Sequence, residues 1–220
     1  MLLPTFEVGG ERALRGAEAA ANAGLDGVFA YDHLWPMGSP TRPSLAPFPM
    51  LAAVAGRIDT LIVATLVARV GLVDTAHLVE EFETLALVAP GRVIAAIGTG
   101  DHLSVAENDA FGLARTSASE RRALLASTAT ALRDSMPVWV GAGATATNEV
   151  ARSLGVTINL WNAAPEKVAN FATDGPVSWA GSVPDDVGAT LDALREAGAS
   201  WAVLTPNADV GVLGEWRRAN

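Results

Sequence analysis

Short apolar runs and amphipathic stretches alternate along this chain from end to end, and that alternation is what most limits the folds open to it. Eight runs read as strands: residues 2–5, 27–31, 61–66, 92–97, 137–140, 157–161, 177–180 and 201–204. Several are bounded by Gly or Pro and carry the β-branched and aromatic side chains that suit a strand buried on both faces. Helix patterns with readable ends lie between them. One covers about residues 11–22 and stops at Gly24, and another runs from near Thr75 to Val88 before Pro90-Gly91 closes it. Ser117-x-x-Glu120 is a capping box that opens a helix through Leu132. Thr145 or Thr147 is expected to cap a helix ending at Gly155, and Pro165 and Pro184 stand where first-turn prolines belong. After Pro184, Val187, Leu191 and Leu194 share one helical face before Gly198 stops the turn.

Strand and helix alternating this regularly imply an α/β fold with a parallel sheet. About eight strands in 220 residues fit a compact (β/α)8 TIM barrel, read as a single domain over residues 1–220. A doubly wound open sheet would show the same alternation and is the alternative. Two long connections, residues 32–48 and 98–116, follow strand C-termini, where a barrel builds its active site.

Composition narrows the chemistry. Half the residues are apolar, enough for a buried core, and a formal net charge of −9 argues against nucleic acid or an anionic membrane as partner. The absence of cysteine removes disulfides, iron–sulfur clusters, thiolate zinc sites and cysteine nucleophiles together. The first residues lack a basic segment followed by a long apolar one, so no signal peptide is expected. The most apolar run, residues 61–73, is broken by Arg69 and is too short for a bilayer span. A cytoplasmic location is the default expectation.

Three loops carry the candidate chemistry. Tyr31-Asp32-His33-Leu34-Trp35-Pro36 places an imidazole beside a carboxylate and a large aromatic, a set suited to proton transfer or to cofactor stacking. The plainer reading is a hydrogen-bonded structural histidine. Gly98-Thr99-Gly100-Asp101-His102 has glycines that let a flat or phosphorylated ligand approach the backbone, although glycine also serves simple turns. Gly141-Ala142-Gly143-Ala144-Thr145 opens into a helix, and small residues there suit either an anion site or an ordinary helix start. It lacks the P-loop lysine and the dinucleotide spacing. His77 reads as a solvated helix residue. The three histidines lack zinc-ligand spacing, so no metal is assigned.

In this order the residues resemble the luciferase-like monooxygenase superfamily, in particular its F420-dependent branch. The matching stretches include Leu3-Pro4-Thr5-Phe6, Ala23-Gly24-Leu25-Asp26-Gly27, Asp32-His33-Leu34-Trp35, Thr65-Leu66-Val67, Gly98-Thr99-Gly100 and Val138-Trp139-Val140-Gly141. The resemblance implies a (β/α)8 barrel holding F420, or alternatively FMN, at its C-terminal mouth. It implies hydride exchange with a small organic substrate and assembly as a homodimer. It makes His33 and Asp101 catalytic and sets Asp32 and Trp35 beside the ring. Thr65 and Leu66 match a bulge, often with a non-prolyl cis peptide, that backs the ring. Gly98, Thr99 and Gly100 then line the cofactor, and Gly141, Ala142, Gly143 and Ala144 grip its phosphate. Family members commonly run longer, with a cover between the fourth and fifth strands; here Leu132 is followed almost at once by Pro137-Val138-Trp139. The alternative is a degenerate barrel that binds flavin weakly and serves as a partner protein.

Overall fold

The apolar runs become parallel strands in a computed structural model that describes residues 1–36, 38–100, 104–113 and 116–220. In chain order the elements are α1 (Glu11–Asn22), β1 (Gly27–Ala30), α2 (Pro47–Ala55), β2 (Ile62–Thr65), β3 (Ala68–Arg69), α3 (Thr75–Val88), β4 (Val93–Gly98), α4 (Val105–Ala110) and α5 (Ala118–Leu132). They continue as β5 (Val138–Gly141), α6 (Thr145–Leu154), β6 (Thr157–Trp161), α7 (Pro165–Ala172), β7 (Val177–Gly181), α8 (Val187–Glu196), β8 (Ala199–Leu204) and α9 (Val210–Ala219). The strands run in the order β1-β2-β4-β5-β6-β7-β8, with the short β3 paired to β4. Residues 1–3 fill the remaining gap. Leu2 N–H donates to the Leu204 carbonyl at 2.8 Å, Leu3 N–H to that of Phe29 at 2.8 Å, and Phe29 N–H to that of Met1 at 2.9 Å. The wall therefore closes as a barrel and is not an open doubly wound sheet. The run read as a strand over residues 2–5 contributes one bridge, Leu2 to Phe29.

Side chains alternate across this wall as strand geometry requires. Val28, Val63, Ile97, Val140 and Leu160 pack outward beneath the helices with Leu51, Phe82 and Leu125. Phe29, Ala64, Ile94, Ala96 and Trp139 point inward. Inside, the Phe29 and Trp139 rings stack at 5.4 Å, and Trp201 meets them edge-on at 5.9 and 5.8 Å. The middle of the barrel is thus a packed core, and a ligand must sit at one of its ends.

The local rules explain most helix ends. In the capping box, Glu120 N–H donates to Ser117 Oγ at 3.2 Å and Ser117 N–H donates to Glu120 Oε2 at 2.7 Å. Gly155 ends α6 in the left-handed conformation at φ 66°. Two expectations are corrected. Neither Thr145 nor Thr147 caps α6, whose N-cap is Ala144 with no side-chain bond. Pro184 precedes α8, which is capped by Asp186 through a 2.9 Å bond from Ala189 N–H. Among the helices that the patterns did not announce, α2 buries Met50, Leu51 and Val54, and Phe48 meets Phe82 edge-on at 4.9 Å. That apolar stretch is part of the barrel wall. Among the described residues, no helix is long and apolar enough to cross a membrane.

Candidate active site

A cavity of about 430 Å³ opens where the strand C-termini converge, within the range of roughly 300–1,000 Å³ usual for small-molecule sites. Asp32 and His33 reach it from the loop after β1, Leu66 and Val67 from the turn after β2, and Arg69 from β3. The Gly98-Thr99-Gly100 turn follows from β4, and the Gly141-Ala142-Gly143 turn from β5. The Leu66–Val67 peptide is cis. The bulge expected at Thr65 and Leu66 therefore has its cis bond one peptide further on.

Val67 explains two of the glycines. A Cβ at Gly98 would stand 2.4 Å from Val67 Cγ2, and one at Gly141 would stand 3.3 Å from Val67 Cγ1. Both positions are small so that the Val67 side chain can seat between the β4 and β5 turns. The two glycines thereby seat an apolar side chain at the cavity. Gly100 is different, because its φ of +66° is one that other residues rarely adopt.

One wall of the cavity is aromatic. Phe6 and Tyr31 stack at 5.3 Å with rings 5° from parallel, and His33 lies 6.2 Å from Phe6 and 6.3 Å from Tyr31. Burial pushes the Tyr31 phenol up to about 12. Trp161, at the end of β6, borders the opposite side and is half exposed.

Beneath this wall lies a buried charge network. Arg69 N–H donates to Asp32 Oδ2 at 2.7 Å, and its guanidinium donates to Glu107 Oε1 at 2.7 Å and to Asn108 Oδ1 at 3.2 Å. Glu107 Oε2 faces His33 Nδ1 at 3.0 Å, and Leu34 N–H donates to Oε1. Side-chain exposure is 5% for Arg69 and 1% for Glu107, so each charge depends on the other for compensation. Desolvation raises the Asp32 carboxyl above its ordinary range, opposed first by the Arg69 N–H bond and then by the Arg69 charge.

Other residues named from the sequence fall elsewhere. Thr65 is fully buried and donates to the Ala96 carbonyl at 2.6 Å, tying β2 to β4. Trp35 packs on Phe111, beside α4, at 5.5 Å and does not border the cavity; nor does Ala144. Asp101 lies outside the described residues. His77 sits in the first turn of α3, 3.8 Å from Glu81, and does not line the cavity. Phe6, Val67, Arg69, Trp161 and Glu107 were not picked out as site residues. Arg69 was visible only as a charge interrupting an apolar run, and Glu107 as one acid in a polar loop.

Known proteins share this arrangement of elements. A sequence profile described as luciferase-like monooxygenase matches residues 7–202. An F420-dependent glucose-6-phosphate dehydrogenase of Nakamurella multipartita is 28% identical over 194 residues, covering 82% of this chain and 56% of that protein. An F420-dependent hydroxymycolic acid dehydrogenase of Mycobacterium tuberculosis is 33% identical over 104 residues, 46% of this chain and 29% of that protein. The chain thus spans about half the length, or less, of these curated relatives. Among solved structures, an F420-dependent secondary alcohol dehydrogenase in complex with an F420–acetone adduct superposes with a TM-score of 0.78 at 15% identity, over 95% of this chain and 94% of that one. The coenzyme F420-dependent tetrahydromethanopterin reductase from Methanopyrus kandleri gives 0.74 at 10% identity, over 98% and 96%. Likeness at these identities is likeness of fold.

Proposed function

Because the chain belongs to the luciferase-like monooxygenase family, we propose that it is an oxidoreductase that binds F420 at the C-terminal mouth of its barrel and acts on a small organic substrate. The observation that carries this reading is the Val67 ledge, held between Gly98 and Gly141 at the edge of the mouth cavity. A flat ring system needs an apolar support that does not yield, and a side chain clamped by two turns supplies one. The residues at the mouth fit the rest of such a cofactor. Ala142, Gly143 and Ala144 are exposed, and the first turn of α6 carries no side-chain cap; Thr147 N–H already donates to the Ala144 carbonyl at 2.8 Å, which leaves the N–H groups of Thr145 and Ala146 for an anionic group.

When bound, F420 supplies the ring carbon that carries the hydride; the protein supplies binding, orientation and proton handling. Leu66 and Val67 back the ring. Phe6, Tyr31 and Trp161 border the space beside it and limit water. His33 takes the proton of a substrate hydroxyl in the oxidative direction and returns it in the reductive one. Asp101, which directly follows Gly100 in the sequence, is the second acid of this proposal. Asp32 holds the Arg69 backbone at the cavity edge.

The test is turnover. Purified protein is mixed with F420 and a panel of small alcohols, and then with reduced F420 and the matching ketones, while the cofactor absorbance is followed. Substrate-dependent change supports the reading. Saturable F420 binding with no turnover across the panel points to a binding protein, and no binding of F420 or FMN overturns the reading outright.

A further inference from the structure

Glu107 is the least exposed charged residue at the mouth, yet it does not border the cavity and has no part in the chemistry above. It lies 74 residues from His33 in sequence and meets it across the barrel rim, from α4. Both of its oxygens are engaged. Oε1 meets two groups that can only donate, the Leu34 N–H and the Arg69 guanidinium at 2.7 Å. Oε2 meets one group of either polarity, His33 Nδ1, at 3.0 Å.

We propose that Glu107 is a positioning residue that fixes His33 as its Nδ1–H tautomer and so makes Nε2 the nitrogen that exchanges a proton with substrate. Beside the Arg69 guanidinium, Glu107 is a carboxylate, and an ionised carboxylate only accepts. The opposite tautomer would turn the Nδ1 lone pair toward a carboxylate oxygen at 3.0 Å, leaving two buried acceptors face to face with no proton between them. Among the described residues, the charged groups around the ring are Glu107 from α4, Arg69 from β3 and the adjoining Asp32. Of these, Glu107 is the one that bonds the ring. Across the ring, Nε2 bonds no described residue, which leaves it for a ligand. The arrangement follows a general pattern in which a carboxylate on one imidazole nitrogen sets the role of the other.

This inference rests on the reading of His33 as the proton-handling group, but its test does not need the cofactor. Nitrogen NMR of 15N-histidine-labelled protein at about pH 8, above the ordinary histidine range near 6.5, distinguishes the two tautomers directly. The chain has three histidines, and the His33 resonances are those lost in His33→Asn. The expected wild-type spectrum has a protonated, pyrrole-like Nδ1 and a bare, pyridine-like Nε2. In Glu107→Gln the amide oxygen must stay with the two donors at the Oε1 position, which turns the amide NH2 toward Nδ1. His33 should then invert to the Nε2–H form.

Wild-type protein with Nε2 protonated, or with the two tautomers averaged, overturns the proposal. So does a folded Glu107→Gln protein whose His33 does not change. If that variant fails to fold, the wild-type spectrum decides alone. Failure of F420 to bind would leave this result standing, and turnover by an enzyme whose His33 is Nε2–H would spare the functional reading while overturning this one.

Discussion

Two cavities of similar size lie in different places, about 430 Å³ at the mouth and about 380 Å³ along β8 between α8, α9 and the lower end of β1. Both have apolar walls and both are bordered by arginines. They differ in where the charges sit. At the lower end Arg217 pairs with Asp26 at 2.9 Å and Arg195 with Asp192 at 3.2 Å, all with side chains about half exposed. At the mouth Arg69 and Glu107 pair at 2.7 Å with side chains 5% and 1% exposed, and burial disfavours the charged form of Asp32. Exposed pairs are tolerated almost anywhere, whereas a buried charge depends on its partner, and here even the paired Arg69 keeps its Nε buried with no hydrogen bond among the described residues. Cavity volume does not distinguish the two ends; a buried pair of oppositely charged side chains does.

The contrast breaks first at Glu107. Removing it as Glu107→Ala leaves the Arg69 charge buried and unpaired, and should cost about 3–5 kcal/mol in urea unfolding. Asp26→Ala at the lower end should leave the midpoint nearly unchanged. Equal losses at both ends would erase the distinction. Next in size, His33→Ala should lower turnover by about 10²–10⁴-fold while F420 still binds, because the ring support lies on the other loops. An unchanged turnover would remove His33 from the chemistry.

A third effect isolates the ledge. Gly98→Ala drives a methyl into Val67 Cγ2 and should destabilise the protein by about 1–3 kcal/mol. Adding Val67→Ala should recover most of that stability but not F420 affinity. Recovery of both would show that the ledge does not support the ring.

The smallest effect depends on pH. Asp32 has a raised carboxyl pKa in the fold, so the folded state holds its proton more tightly than the unfolded chain does. Stability is therefore greater in acid and is lost as pH rises through the ordinary carboxylate range to the raised value. Asp32→Asn escapes that loss, so its gain in Tm over wild type should be larger at pH 7 than near pH 4. A gain independent of pH would mean that Asp32 is not desolvated.

The legible parts of this molecule are those with local causes. Gly24, Gly155, Ser117 and Glu120 set helix ends within a few residues, and seven of the eight strand runs reappear as β1, β2 and β4 to β8. Pro184 misled because Asp186, two residues on, was the better cap. α2 starts Pro47-Phe48-Pro49, and α4 is the short polar run Val-Ala-Glu-Asn-Asp-Ala, so neither shows a helical stripe. At the site, Asp32, His33 and the two glycine turns were readable because strand C-termini make the mouth. The His33–Glu107 contact was not, since it joins residues that only barrel closure brings together. Nor was the reason for Gly98, which depends on Val67 across a neighbouring strand.

The most direct test of the central claim is a fluorescence titration with F420 of three proteins: wild type, Ala142→Trp, which fills the mouth, and Ser200→Trp, which fills the lower cavity. The account predicts saturable binding to the wild type and to Ser200→Trp, and its loss in Ala142→Trp. Binding that survives the blocked mouth, or that disappears with the blocked lower cavity, would contradict it.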